Sequence, residues 1–117
     1  MTLQECYAAM GGNYDDAIGR LRSERLVQKF VLKFLSDGSY ELLCRSLEEK
    51  NYEEAFRAAH TIKGVCQNLS FTMLGRSSSA LSEALRGGYT PEADALAEQV
   101  KAEYQQTAQA IRAFQEA

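Results

Sequence analysis

The chain has 117 residues, 45% hydrophobic and 25% charged, with a formal net charge of −3. That length points to one domain spanning residues 1–117, with a core bundle over about 23–117. The acidic balance argues against a protein that neutralises many phosphates, so no nucleic-acid partner is expected.

The first predicted element is a short helix from Thr2 to Met10, opened by Thr2 and Glu5 at capping-box spacing and ended by Gly11-Gly12. Asn13 can cap a second short helix carrying Tyr14, Ala17, Ile18 and Leu21. Ser23 opens a longer one to about Ser36, with Val27, Phe30, Val31 and Phe34 at core-facing spacing. Asp37-Gly38 breaks it, and Ser39 can cap the next helix, which directs Leu42, Leu43 and Leu47 inward and ends near Lys50. The short break predicts that these two helices are antiparallel neighbours. A central helix follows over Asn51 to Leu69, then one from about Thr72 to Arg86 with Leu74, Ser78, Leu81 and Leu85 on one face. After Gly87-Gly88, Thr90-Pro91 starts a last helix with Leu96, Val100, Tyr104, Ile111 and Phe114. No strand alternation is sustained. The expected fold is all-α, an up-down four-helix bundle with short N-terminal accessory helices.

Cys6, Cys44 and Cys66 are widely spaced and odd in number, which is no disulfide framework, and a single histidine cannot complete the usual Cys/His zinc site. Each lies beside apolar residues and is expected as a buried, reduced thiol. Neither a signal peptide nor an apolar run of ~20 residues is present, so no membrane partner is expected and the cytoplasm is the expected location.

The central helix separates into two faces at about 100° per residue. Ala55, Ala59, Ile62, Cys66 and Leu69 fall in one quadrant, the stripe for the core. His60, Lys63, Gly64 and Gln67 cluster roughly 140° away. A lone helical histidine is more often a plain surface or core residue, and four features weigh against that here. His60 lies off the apolar stripe, where an imidazole can attack an electrophile without a separate base. Lys63, one turn along, can neutralise a phosphoryl group on the ring, although most helix lysines are simply solvated. Gly64 costs about 1 kcal/mol relative to alanine in a helix interior. Room for a large partner beside the imidazole explains that cost on an exposed face; close helix packing would explain it on a buried one. Gln67 adds a hydrogen-bonding group and is the weakest of the four. Phe56 lies one turn before His60, and Phe56 and Arg57 are candidate docking residues on or near this face. Phe56 could equally be covered by a neighbouring helix.

The run Ala59-His60-Thr61-Ile62-Lys63-Gly64, followed by Asn68-Leu69, resembles the histidine-containing phosphotransfer (HPt) domain of bacterial phosphorelays. The resemblance extends from about Tyr14 to Phe114. It implies that His60 is the phosphorylated residue, that Lys63 steadies the phosphoryl group, and that Gly64 gives the partner room. It implies response-regulator receiver domains or a hybrid histidine kinase as partners, with Mg²⁺ held by the receiver and no cofactor or metal in this chain. Two positions depart from the family pattern. Ser70 stands where glycine is frequent, and Gln67 where a small residue is frequent.

With no GxxxxGK[ST] run or glycine-rich phosphate loop, the chain is expected to be a carrier without ATP-dependent kinase activity of its own. Three other readings stay open: a phospho-accepting domain fed directly by a histidine kinase, a non-catalytic helical interaction module, and, least favoured because no second acid, base or metal cluster joins His60 on its face, an independent enzyme. One exposed histidine requires only a monomer, and Met1 with a full set of helices favours a stand-alone protein.

Overall fold

Capping and glycine signals set the helix ends. The structure, a computed structural model, describes residues 1–116; residue 117, the last of the expected bundle span, lies outside them. Thr2 caps α1 (Leu3–Met10) with both halves of the box formed, its hydroxyl accepting from the Glu5 amide and the Glu5 carboxylate from the Thr2 amide. Asn13 caps α2 (Tyr14–Leu21) through the Asp16 amide, and Ser23 caps α3 (Glu24–Phe34) through the Leu26 amide. α4 (Ser39–Glu48), α5 (Tyr52–Leu69), α6 (Thr72–Leu85) and α7 (Pro91–Glu116) complete the chain. Among the described residues there is no strand.

α5 packs between α4 and α6, α6 carries α7, and α1 lies along α7. Aromatic contacts close the bundle. Tyr40 of α4 stacks on Tyr104 of α7 at 3.7 Å, and Phe34 of α3 meets both Tyr104 and Phe71. Together α3 and α4 form one arm of a four-helix bundle with α5, α6 and α7. α1 adds Leu3, Cys6, Tyr7 and Met10 to the buried cluster.

The end of α1 depends on glycine. Gly11 has φ 71°, and a β-carbon there would lie 2.9 Å from the Met73 β-carbon; at Gly12 one would lie 2.8 Å from the Tyr7 ring. Only glycine lets this turn press against α6 without strain.

Three local expectations are corrected. α3 and α4 are not side-by-side neighbours. The link keeps helical turns, with the Leu35, Ser36 and Asp37 amides each bonded three residues back, so the chain is carried onward instead of reversed. Ser39 does not cap α4; its amide donates to the Asp37 carboxylate at 2.8 Å, and Gly38 holds the cap position. Phe30 is 37% exposed, whereas Val27, Val31 and Phe34 are buried. Its ring borders a groove with Leu21, Val65 and Leu69 at the surface.

The third cysteine also departs from expectation. All three are free thiols, but only Cys6 and Cys66 are buried, while Cys44 is half-buried. Burial pushes Cys66 up to about 12 and Cys6 up to about 11, so neither offers a thiolate near neutral pH. A maleimide or disulfide reagent at pH 7.5 is therefore expected to modify one thiol of the folded protein, Cys44. The other two should react only after denaturation, and mass mapping of the modified cysteine checks this.

Candidate functional site

Asn51 starts α5 by accepting from the Glu54 amide at 3.2 Å. Asn51 and Glu54 have capping-box spacing, but the reciprocal half of the box does not form, because the Glu54 carboxylate takes Arg57 at 2.6 Å instead. Arg57 also donates to Glu53 at 2.8 Å. Two acidic residues in the first turn suit the helix dipole, and Arg57 is compensated by them on its own helix.

The far end of α5 is held by the N-terminal helices. Ser70 sits at φ 58°, the left-handed conformation favoured by glycine, which explains a glycine preference at this place. Here the serine is tied down. Its hydroxyl donates to Asp16 at 2.5 Å, and its carbonyl accepts from the Asn13 amide at 2.8 Å. The buried Tyr7 hydroxyl donates to the Leu69 carbonyl at 2.7 Å.

The Ser70 hydroxyl, and after it Arg20, hold the Asp16 carboxyl below its ordinary range. A carboxyl lowered by folding contributes stability above its unfolded value, near pH ~4, and that contribution fades as pH falls through the folded value. The stability gap between the wild type and Asp16→Asn should therefore be full at pH 7 and shrink toward pH 3. Urea midpoints at the two pH values measure it.

Between these ends the two faces of α5 separate as the pattern predicts. Ala55, Ala59, Ile62, Cys66 and Leu69 are buried, joined by Ala58. His60, Gly64 and Gln67 are exposed, and Lys63 is half-buried. Among the described residues, no hydrogen bond or ion pair occupies the His60 imidazole or the Lys63 ammonium. A β-carbon at Gly64 would find no atom within 4 Å. This glycine is not where helices meet; that role falls to Gly75 of α6, where a β-carbon would come within 3.3 Å of Cys66.

Phe56 is half-buried, with its ring 6.0 Å from the imidazole centroid and nearly parallel to it. The guanidinium of Arg86, the residue that caps the C-terminal end of α6, lies 5.3 Å from the centroid of the same ring. Arg86 is in turn paired with Glu83 at 2.6 Å. The Glu83 carboxyl is held below its ordinary range by Arg86 first, with smaller pulls from Lys63 and His60. Glu83, Ser79, Arg76 and Gln67 line a common groove between α5 and α6.

Glu83 and Arg86 lie off the apolar stripe of α6, so that stripe does not reveal them. The available signal was the i, i+3 spacing of Glu83 and Arg86 on the polar side of a helix packed next to α5.

The arrangement offers an accessible imidazole, a nearby ammonium, and open space one turn along. That suits a nucleophile that meets a large electrophile outside the protein. Among the described residues no three His, Cys, Asp or Glu side chains converge as a metal-holding group, and no helix is long and apolar enough to cross a membrane. A family model described as the Hpt domain matches residues 33–110. No curated protein and no solved structure matches the chain.

Proposed function

We propose, from the premise that the chain belongs to the Hpt domain family and is a histidine phosphotransfer module of a phosphorelay, that it carries a phosphoryl group on His60 between receiver-domain aspartates. The observation that carries this reading is His60 exposed beside an unobstructed Gly64.

In the inward step an imidazole nitrogen attacks the phosphorus of a receiver phosphoaspartate in line. The N–P bond forms as the P–O bond to the aspartate breaks, the carboxylate leaves with the electron pair, and the ring proton passes to solvent. The outward step runs the same path in reverse to another aspartate. Catalysis of this kind is mostly positioning and electrostatics. The receiver brings Mg²⁺ and most of the charge stabilisation, so this chain needs no cofactor of its own.

Lys63 offsets the charge arriving on the ring, Gly64 leaves space for the receiver, and Gln67 offers a hydrogen bond at the groove edge. Phe56 supports one face of the imidazole, and Arg57 borders the contact. The chain is a carrier and not an ATP-dependent kinase. It works as a monomer in the cytoplasm, where receivers act, since every group named belongs to one chain.

The test presents the protein to phosphorylated receivers from its own organism, and separately to ATP alone. Label moving from a receiver onto this protein, then onto a second receiver, is the expected result. A protein that neither takes label from any receiver nor gives it to one, or that labels itself from ATP, overturns the reading.

A further inference from the structure

His60 is linked to α6 by a continuous series of contacts: imidazole on Phe56 at 6.0 Å, Phe56 under the Arg86 guanidinium at 5.3 Å, and Arg86 on Glu83 at 2.6 Å. The Glu83–Arg86 pair is the interesting end. Its partners, Glu83 in the last turn of α6 and Arg86 at its C-cap, have side chains 59% and 58% exposed. Pairs so exposed are weak and easily exchanged. Glu83 nevertheless lies within electrostatic reach of both His60 and Lys63. In the unmodified protein the carboxylate engages a cation that would otherwise stand free beside the site.

A phosphoryl group adds about −1.5 to −2 charges and three strong acceptor oxygens near neutral pH. Placed on His60, that charge faces Glu83 as a like charge and Arg86 as an opposite one. A guanidinium makes stronger, forked hydrogen bonds to a phosphoryl dianion than to one exposed carboxylate of its own helix. Arg86 and His60 both lie against the Phe56 ring, and the Arg86 side chain is long, exposed and free to change rotamer.

We propose that Glu83 and Arg86 form an exchangeable ion pair: Arg86 leaves Glu83 for the phosphoryl group on His60, and Glu83 opposes the phosphorylated state by competing for Arg86 and repelling the new charge. Both are positioning residues. Arg86 favours the loaded form and Glu83 favours unloading, so together they set how readily the group moves on. This rests on His60 being the phosphorylated residue.

The test loads His60 with phosphoramidate, a small donor that needs no receiver. The imidazole takes the phosphoryl group as the P–N bond of the donor breaks, and ammonia leaves. Titration of the ³¹P resonance then gives the ionisation midpoint of the bound phosphoryl group, a readout that helix packing alone does not move. Arg86→Ala should raise that midpoint by about 0.3 or more in pH, by loss of a neighbouring cation. Glu83→Gln should lower it by a similar amount, and Arg86→Lys should restore most of the wild-type value. Far-UV spectra and urea midpoints check that each variant is folded. The Arg86 Nε–H resonance should also shift on phosphorylation in the wild type, and less in Glu83→Gln. A phosphohistidine signal whose midpoint is the same in all three variants overturns the exchange and leaves the carrier reading intact. No phosphohistidine signal at His60 overturns both.

Discussion

Replacing Gly64 by leucine is expected to leave the fold intact and to slow transfer from a phosphorylated receiver by ~100-fold or more. The two effects separate because Gly64 has no neighbour to disturb: a β-carbon there meets nothing within 4 Å. In stability terms glycine is the poor choice, and Gly64→Ala should raise stability by up to about 1 kcal/mol through helix propensity. In transfer terms, on the proposed reading, a branched side chain one turn from His60 obstructs the approach of the receiver. A displacement of the reacting atoms by about 1 Å can cost 10²-fold. Phosphoramidate is small and should still load the Gly64→Leu variant at a rate close to the wild type. Urea midpoints, receiver-dependent rates and phosphoramidate-dependent rates measured on the same variants decide the matter. Gly64→Leu transferring from receivers at the wild-type rate would remove partner access as the reason for this glycine.

The largest stability effect is expected at Tyr7. Its side chain is fully buried, edge-on to Tyr14 and Phe71, and its hydroxyl donates to the Leu69 carbonyl at the end of α5. Tyr7→Ala should lose about 3–5 kcal/mol, as large-to-small aromatic substitutions in cores do. Tyr7→Phe should lose about 1–3 kcal/mol by leaving a buried carbonyl without its donor. Against a total of about 5–15 kcal/mol for a domain, the alanine variant stands near the unfolding threshold. Chemical denaturation of the two variants measures both losses. The interest of Tyr7 is its place: α1 precedes residues 33–110, which the family model matches, yet it fastens the C-terminal end of the site helix. If Tyr7→Ala unfolds at the wild-type urea midpoint, α1 is an ornament on the bundle and not part of its core.

Much of this was legible in the sequence because it is local or periodic. The Thr2–Glu5 box, the caps at Asn13 and Ser23, and proline at the first position of α7 each depend on a few adjacent residues, and each forms. The two faces of α5 follow from helix rotation alone, and burial agrees with the pattern from Ala55 to Leu69. Whatever required knowing which helix lies beside which was not legible. The short break after α3 was compatible with reversal, and only the helical turns through Leu35, Ser36 and Asp37 show that the chain continues. Phe30 keeps helical spacing with Val31 and Phe34 but faces the surface, because the stripe on α3 is narrower than its apolar content. Glu83 and Arg86 reach the site across a helix–helix contact, which spacing within one helix cannot reveal. Ser70 shows the converse. A departure from the family pattern at a left-handed position is accommodated by Asp16 and Asn13, two residues from a different helix and its cap.

The central claim is that His60 carries the phosphoryl group. Its most direct measurement is the transfer of labelled phosphate from a phosphorylated receiver to the wild-type chain and to His60→Gln, with the stability of the label tested in acid and in base. Label on the wild type that is lost in acid and survives base, as a phosphoramidate bond requires, with none on His60→Gln, is the expected result. Label that persists in His60→Gln, or that survives acid on the wild type, would contradict it.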